Sequence, residues 1–300
     1  MQKLLIIAGT SRAGSTSTYR YLADHPAICA ATMKETGYFL GDDIPLPRAH
    51  RYSPSLAGYS TYFRGSTPDQ TWMEATPHYL YSAGVAERIY QADPQTRLIF
   101  LLREPTSRLI SWYRFGMQEG MLLKRLSFEE FIAAQHPEPT VHTPYPLRAM
   151  AEGQYTRYLS SWVQQFPREQ LLIVKYTDLS RDPLEIMRQI SVFAGIDPQF
   201  YDRYEFESHN PSFEVRSIWV GKLYSAVEWR TQRILRKAPA RASFAALGRH
   251  LIIPIYRKIN AKPHTRITIP DSVRTHLEDY YRDLPRELAD VLGIDSWTWD

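Results

Sequence analysis

The opening of the chain constrains its fold most. An apolar run, Leu4-Leu5-Ile6-Ile7-Ala8, breaks at Gly9 into the short segment Thr10-Ser11-Arg12-Ala13-Gly14-Ser15-Thr16, after which a helical pattern begins. A strand that feeds a helix through a loop of small residues leaves backbone N–H groups pointing outward at the helix N-terminus. That is a favourable place for a phosphate. Thr10, Ser11, Ala13 and Gly14 keep the loop small, the hydroxyls of Ser15 and Thr16 can add hydrogen bonds, and Arg12 supplies charge. A plain turn with no ligand is the alternative reading.

The spacing is close to GxxxxGK[ST], so a nucleoside-triphosphate kinase or hydrolase has to be weighed. Ser15 stands where such an enzyme needs the lysine that reaches the β- and γ-phosphates. The loop is therefore suited to a 5′-phosphate and poorly equipped to hydrolyse a triphosphate.

Short apolar runs at 3–8, 27–30, 71–74, 97–102 and 170–175 alternate with helical patterns at 15–24, 82–91, 106–119, 128–134, 150–166 and 183–194. A last helix is expected over 273–292, ahead of Trp297 and Trp299. Such alternation predicts an α/β fold, a P-loop-like three-layer α/β/α arrangement around a central, mainly parallel five-stranded sheet. No shift in composition marks a second domain, so residues 1–300 read as one, with the basic stretch 214–268 as an elaboration of it. Two stretches rich in Pro, Gly and Tyr, 41–68 and 136–146, read as long connections, where substrate contacts often lie. Tyr52, Tyr59, Tyr62 and Phe63 are the acceptor-contact candidates there.

With 44% hydrophobic and 23% charged residues the chain can form an ordinary core. Its single cysteine, Cys29, excludes an internal disulfide, and no Cys/His cluster points to zinc. Together with an apolar start too short for a signal peptide, this predicts a cytoplasmic, unsecreted protein. Between Glu214 and Thr268 twelve Lys/Arg face two acids, Glu214 and Glu228. That imbalance suits an anionic ligand or acceptor, or peripheral contact with a membrane. A non-catalytic polyanion binder is a rival reading of the same stretch, and a solvated helix face is the plain one.

The run 97–102 ends in Arg103-Glu104-Pro105-Thr106-Ser107-Arg108, followed by Ser111 and Tyr113. In a P-loop hydrolase a strand here often ends in a magnesium-binding aspartate. An arginine repels the metal and attracts a second phosphate. Pro105 suits a first helical turn, and Ser111 lies two turns further in, able to join Arg103 on the same phosphate. Arg103 pairing with Glu104 or capping another helix stays open.

Two separated phosphate sites match 3′-phosphoadenosine 5′-phosphosulfate (PAPS), and the chain resembles the PAPS-dependent sulfotransferase family, in the branch holding heparan sulfate sulfotransferases and many bacterial members. GTSRAGSTSTYRYLADHP resembles the family's 5′-phosphosulfate loop, and LLREPTSRLISWYRF resembles its 3′-phosphate motif RxPxxRxxSxY. MKETGYF resembles KExxxFF, MEATPHYL resembles EKSPxYF, and the closing LGIDSWTW is similar to the family's ending. The resemblance implies sulfuryl transfer from PAPS, as co-substrate and without a metal, to a small-molecule, glycan or lipid acceptor rather than to nucleic acid. It makes Glu35 the expected general base, places Arg12 on the leaving 5′-phosphate, and adds Arg216 as a nucleotide contact. His78 is the rival base. Glu35 could instead be a solvated acid paired with Lys34, and His78 a packed histidine. Two positions depart from the family pattern. Arg12 replaces its usual lysine, and Ala75 stands where the branch often has another lysine, for which Arg20 or Lys34 is the candidate substitute.

Overall fold

The computed structural model describes residues 3–44, 48–123, 125–140, 142–206, 214–215, 261–262 and 267–299. Strands β1 (Leu4–Gly9), β2 (Ile28–Ala30), β3 (Thr71–Ala75), β4 (Arg97–Leu102) and β5 (Leu171–Lys175) form one sheet in the order β2-β3-β1-β4-β5. Every neighbouring pair is parallel. All five apolar runs read from the sequence are these strands, with small differences at the ends.

The period of two along each strand sends alternate side chains to opposite faces. Leu4, Ile6 and Ala8 of β1 and Leu98, Phe100 and Leu102 of β4 enter one buried cluster, while Leu5, Ile7, Ile99 and Leu101 enter another. The second cluster is covered by α1 (Ser15–Ala23), α7 (Tyr176–Arg181) and α8 (Pro183–Ala194) through residues such as Leu22, Leu179, Met187 and Ile190. The first is covered by α3 (Val85–Ala92), α4 (Pro105–Gln118), α5 (Phe128–Ala133) and α6 (Tyr155–Gln165), with α9 (Asp271–Tyr280) and α10 (Leu284–Leu292) outside them. This is the expected three-layer α/β/α fold. Parallel strands buried on both faces explain why these runs are continuously apolar rather than alternating.

Three expectations need correction. The helix expected over 273–292 is two helices, α9 and α10, separated by the turn at Tyr281–Asp283. Pro285 in the first turn of α10 has no N–H to continue a preceding helix. The helix expected from residue 150 begins only at Tyr155: residues 151–153 form a 3-10 turn and Gln154, at φ −79° and ψ 70°, leaves the helical track, while Gly153 sits against the Tyr281 hydroxyl, where a Cβ would fall 2.6 Å from it. The stretch 41–68 is not an open loop. It contains α2 (Ala57–Ser60) and buries Tyr59, Tyr62 and Phe63, with Tyr52 packed on the same cluster. Phe63 stacks on Trp72 at 4.5 Å and Tyr59 lies 5.0 Å from Tyr38. Those three aromatics are committed to the core and cannot face an acceptor.

Within the basic stretch 214–268, the described residues include an antiparallel pair, β6 (Glu214–Val215) with β7 (Ala261–Lys262), and β6 runs beside α4. Arg216 and the basic residues considered for membrane contact lie outside the described residues.

Phe100 is fully buried at the middle of β4 and meets Trp162 of α6 edge-on at 5.1 Å. Phe100→Ala should therefore cost about 3–5 kcal/mol of stability, read as a lower midpoint of urea unfolding with an unchanged slope.

Candidate active site

β1 lies between β3 and β4, so the chain leaves it on one side towards β2 and β3 and returns on the other through β4 and β5. Ligands of open α/β sheets bind at the carboxyl ends of strands where this reversal falls. The ends of β1, β3 and β4 meet there: Thr10 N donates to Leu101 O (2.8 Å), and Thr76 N donates to Ile7 O (3.1 Å).

The loop after β1 turns sharply. Gly14 adopts φ +90° and precedes α1 as its N-cap without any side-chain cap, so the first-turn amides of α1 keep their capacity for an anion. A Cβ on Gly14 would fall 2.9 Å from Leu179 and 3.2 Å from the Tyr176 ring, so the position requires glycine for space as well as for φ. Thr10 and Ala13 are fully buried, Ser15 is nearly so, and Thr16 is half-buried. Thr10 shares a hydrogen bond with Tyr81. Ser11 Oγ is buried without a partner among the described residues.

The structure brings the two phosphate motifs together. Arg12 Nε donates to Ser111 Oγ of α4 (3.2 Å), and Arg103 Nη1 donates to the carbonyl of Arg12 (3.2 Å). Each guanidinium lies over a ring: Arg12 over Phe115 at 4.7 Å and Arg103 over Tyr176 at 4.5 Å. The Arg103 carbonyl is in turn held by the Tyr155 hydroxyl (2.7 Å). Burial, and then the neighbouring Arg103, pull Arg12 below its ordinary pKa, and burial does the same to Arg103. Both remain cations at neutral pH. Among the described residues neither has a carboxylate at ion-pair distance. Glu104 does not pair with Arg103. Its carboxylate caps α4 by accepting from the amides of Thr106 (2.8 Å) and Ser107 (2.6 Å). Arg108 of the same motif turns inward, fully buried, with Nη1 3.7 Å from Glu152. Burial lifts the Glu152 carboxyl to about 7 against the pull of Arg108 and Arg148. The donors present fit a bisphosphate: exposed helix amides, an unpaired buried hydroxyl, and two guanidiniums on one crevice.

Glu35 and His78, the rival bases, are neighbours. Glu35 Oε1 accepts from Lys34 Nζ at 2.7 Å, the pairing foreseen in its plain reading, while Oε2 lies 3.9 Å from His78 Nδ1. The Glu35 side chain is 44% exposed. Burial raises its pKa, but Lys34 and then His78 outweigh that and hold the carboxyl below its ordinary value. His78 is buried, and burial keeps it below the usual histidine range against the opposing pull of Glu35. Its Nε2 is 2.8 Å from the Tyr145 hydroxyl, and its Nδ1 has no hydrogen-bond partner among the described residues. Tyr145 links the two halves of the site, because it is within electrostatic reach of both Arg12 and Glu35. Near Ala75, the backbone N donates to Lys34 O (3.1 Å), so Lys34 is at hand, whereas Arg20 sits in the last turn of α1, away from the loop.

Sequence reading missed Phe115, Tyr176, Tyr145 and Glu74. Tyr145 and Tyr176 act from distant parts of the chain that no spacing announces, whereas Phe115 stands one helical turn after Ser111 in the same motif, a spacing that puts both on one face of α4. Glu74 carried a signal: a carboxylate at the end of a buried strand must be satisfied by specific donors.

Two guanidiniums and the uncapped α1 amides thus meet at the switch-point crevice of an α/β fold, an arrangement suited to an anionic ligand. The model of the sulfotransferase domain family matches residues 2–217, so this chain belongs to the sulfotransferase domain family. A heparan sulfate glucosamine 3-O-sulfotransferase 5 of Mus musculus is 30% identical over 65% of this chain and 54% of its own length. A bifunctional heparan sulfate N-deacetylase/N-sulfotransferase 3 of Homo sapiens is 25% identical over 70% of this chain. The chain thus spans about half of the first relative and 24% of the second. The crystal structure of a sulfotransferase from Alicyclobacillus acidocaldarius shares the fold, with a TM-score of 0.60 and 23% identity, covering 79% of this chain and 95% of that one.

Arg103→Ala should weaken binding of 3′-phosphoadenosine 5′-phosphate (PAP) about 10–100-fold with the far-UV spectrum unchanged. Titration calorimetry with the pure nucleotide measures this directly.

Proposed function

We propose that this chain transfers the sulfuryl group of PAPS to a hydroxyl or amine of an acceptor. The observation that carries the reading is the joined cradle, Arg12 on Ser111 and Arg103 on the Arg12 carbonyl, which aims two cations and the α1 amides at one crevice. The family membership supports it. A triphosphate kinase or hydrolase lacks support here, since Ser15 replaces the loop lysine and β4 runs into Arg103.

In the proposed reaction the acceptor oxygen or nitrogen attacks sulfur as the bond from sulfur to the 5′-phosphate oxygen breaks, and PAP departs. Glu35 takes the acceptor proton. Its depressed pKa keeps it ionised at neutral pH, and 44% exposure leaves it reachable. Arg12 offsets the charge that grows on the departing phosphate, with Ser15 and Thr16 beside it. Arg103 and Ser111 hold the 3′-phosphate. His78, kept neutral by burial, flanks Glu35 without replacing it. Lys34 supplies charge where Ala75 cannot. Thr10, Ser11, Ala13 and Gly14 shape the loop, and Arg216 is retained as a nucleotide contact on the family resemblance.

The names of the curated relatives point to a glycan acceptor, with a lipid or small molecule as the other classes. Among the described residues no helix is long and apolar enough to cross a membrane. We place the protein in the cytoplasm on the strength of its single cysteine, and read residues 1–300 as one domain.

Glu35→Gln should keep PAP affinity within about two-fold while turnover falls about 10²–10⁴-fold, measured with labelled PAPS against a panel of acceptors by mass spectrometry. Near-normal turnover would remove Glu35 as the base. Because the Glu35 carboxyl is held below its ordinary value, activity should persist as pH falls and drop only below about pH 4.3. An acid limb close to pH 6 would transfer the role to His78.

A further inference from the structure

Behind Glu35 and His78 lies a fully buried carboxylate that belongs to no phosphate motif. Glu74, at the end of β3, accepts four hydroxyl hydrogen bonds: Thr36 (2.6 Å) and Thr76 (2.8 Å) on Oε2, Tyr59 (3.1 Å) and Tyr79 (2.8 Å) on Oε1. Four donors saturate an ionised carboxylate. Among the described residues it has no ion-pair partner, so these hydroxyls alone offset its burial. Burial raises its pKa, and the four bonds oppose that rise without cancelling it.

The four donors are placed in a telling way. Thr36 directly follows Glu35. Thr76 and Tyr79 bracket His78. The same hydroxyls also fix the backbone around them: Thr76 Oγ1 accepts from Gly37 N (3.3 Å), Thr36 Oγ1 from Tyr38 N (3.2 Å) and Tyr79 OH from Phe39 N (3.3 Å). The segment that carries Glu35 and the turn that carries His78 are thus tied to each other through one carboxylate. A core built for stability alone gains nothing from a buried unpaired charge, since apolar residues of the same volume would serve. Tyr59 comes from α2 and leads to neither candidate base.

We propose that Glu74 is a positioning residue: it sets the distance between the Glu35 carboxylate and the His78 imidazole, and so holds the proton-accepting group at the acceptor side of the crevice. The inference rests on the reading of Glu35 as the base. It does not involve the nucleotide cradle, whose contacts run through Arg12, Arg103 and Ser111.

The test uses the full chain and PAP, with the His78 imidazole followed by NMR titration and assigned by loss of its signal in His78→Gln. Lys34, Glu35 and Tyr145 are the groups facing that imidazole. Glu35→Gln removes a neighbouring negative charge, so the His78 midpoint should fall. Thr36→Val and Glu74→Gln should each reproduce at least about half of that fall, because they loosen Glu35 without removing it. Tyr59→Phe, which deletes one donor of the same carboxylate, should leave the midpoint within about 0.2 unit. PAP affinity should stay within about two-fold in all four. The proposal is overturned if Thr36→Val and Glu74→Gln titrate like the unaltered chain, if Tyr59→Phe shifts as much as they do, or if Glu35→Gln itself leaves His78 unmoved. Should Glu74→Gln fail to fold, Thr36→Val decides alone. Retained turnover in Glu35→Gln would sink the base assignment, whereas this titration reads the coupling, so the two failures are distinguishable.

Discussion

Two guanidiniums with no carboxylate partner among the described residues, half-buried side by side at the ends of β1 and β4, govern this structure. Burying a charge is costly unless it is paired, and protein cores normally pair it. Here the protein supplies rings beneath the guanidiniums, Phe115 and Tyr176, and neutral oxygens beside them, Ser111 Oγ and the Arg12 carbonyl. Those contacts orient the cations without neutralising them. The unspent positive potential is directed into the crevice, and the α1 amides point the same way. In the proposed reading an anion with two separated phosphates supplies the negative charge that no described residue places at ion-pair distance.

The scaffold keeps this arrangement from collapsing. If Arg103 could reach Glu104, the cradle would close on itself, but Glu104 is engaged as the cap of α4 by two amides. If the second arginine of the motif faced the crevice, three like charges would compete. Arg108 instead lies in the core beside Glu152. The Tyr155 hydroxyl fixes the carbonyl of Arg103, and Trp299 packs 5.9 Å from the Tyr155 ring, so the end of the chain braces the start of α4 from behind. Stability and site are therefore coupled through the α6 layer rather than through the loop alone.

Much of the fold was legible because parallel strands buried on both faces leave an unmistakable apolar signature, and all five were found in that way. The cradle was legible in part: Gly14, Ser15 and Arg103 stand at spacings whose physics is local, a strand giving way to a helix N-terminus. What the sequence hid depends on distant chain segments. Tyr59, Tyr62 and Phe63 sit among Pro and Gly, which reads as loop, yet they fill the core because the tight turns let the stretch fold back onto Trp72. The break between α9 and α10 was missed because the apolar periodicity continues across it, while Pro285 in the first turn of α10 decides the geometry. Tyr145 is 67 residues from its partner His78, and only the folded chain brings the two together.

The site divides into two networks of opposite character. The nucleotide side is cationic and ring-backed, tolerant of small displacements because a charge attracts over several ångströms. The proton-accepting side is built from short hydroxyl bonds onto one buried carboxylate, where directionality makes small displacements expensive. That division suits a transfer reaction. Gripping a bisphosphate needs strength, and the rings beneath Arg12 and Arg103 let the guanidiniums adjust to it. Taking a proton from an acceptor at the right moment needs a fixed distance, and a saturated carboxylate provides one. Tyr145, within reach of Arg12 on one side and bonded to His78 on the other, is where the tolerant half meets the rigid half. In the proposed reaction the acceptor enters between them, so its selection follows from how the chain walls that gap rather than from either network alone.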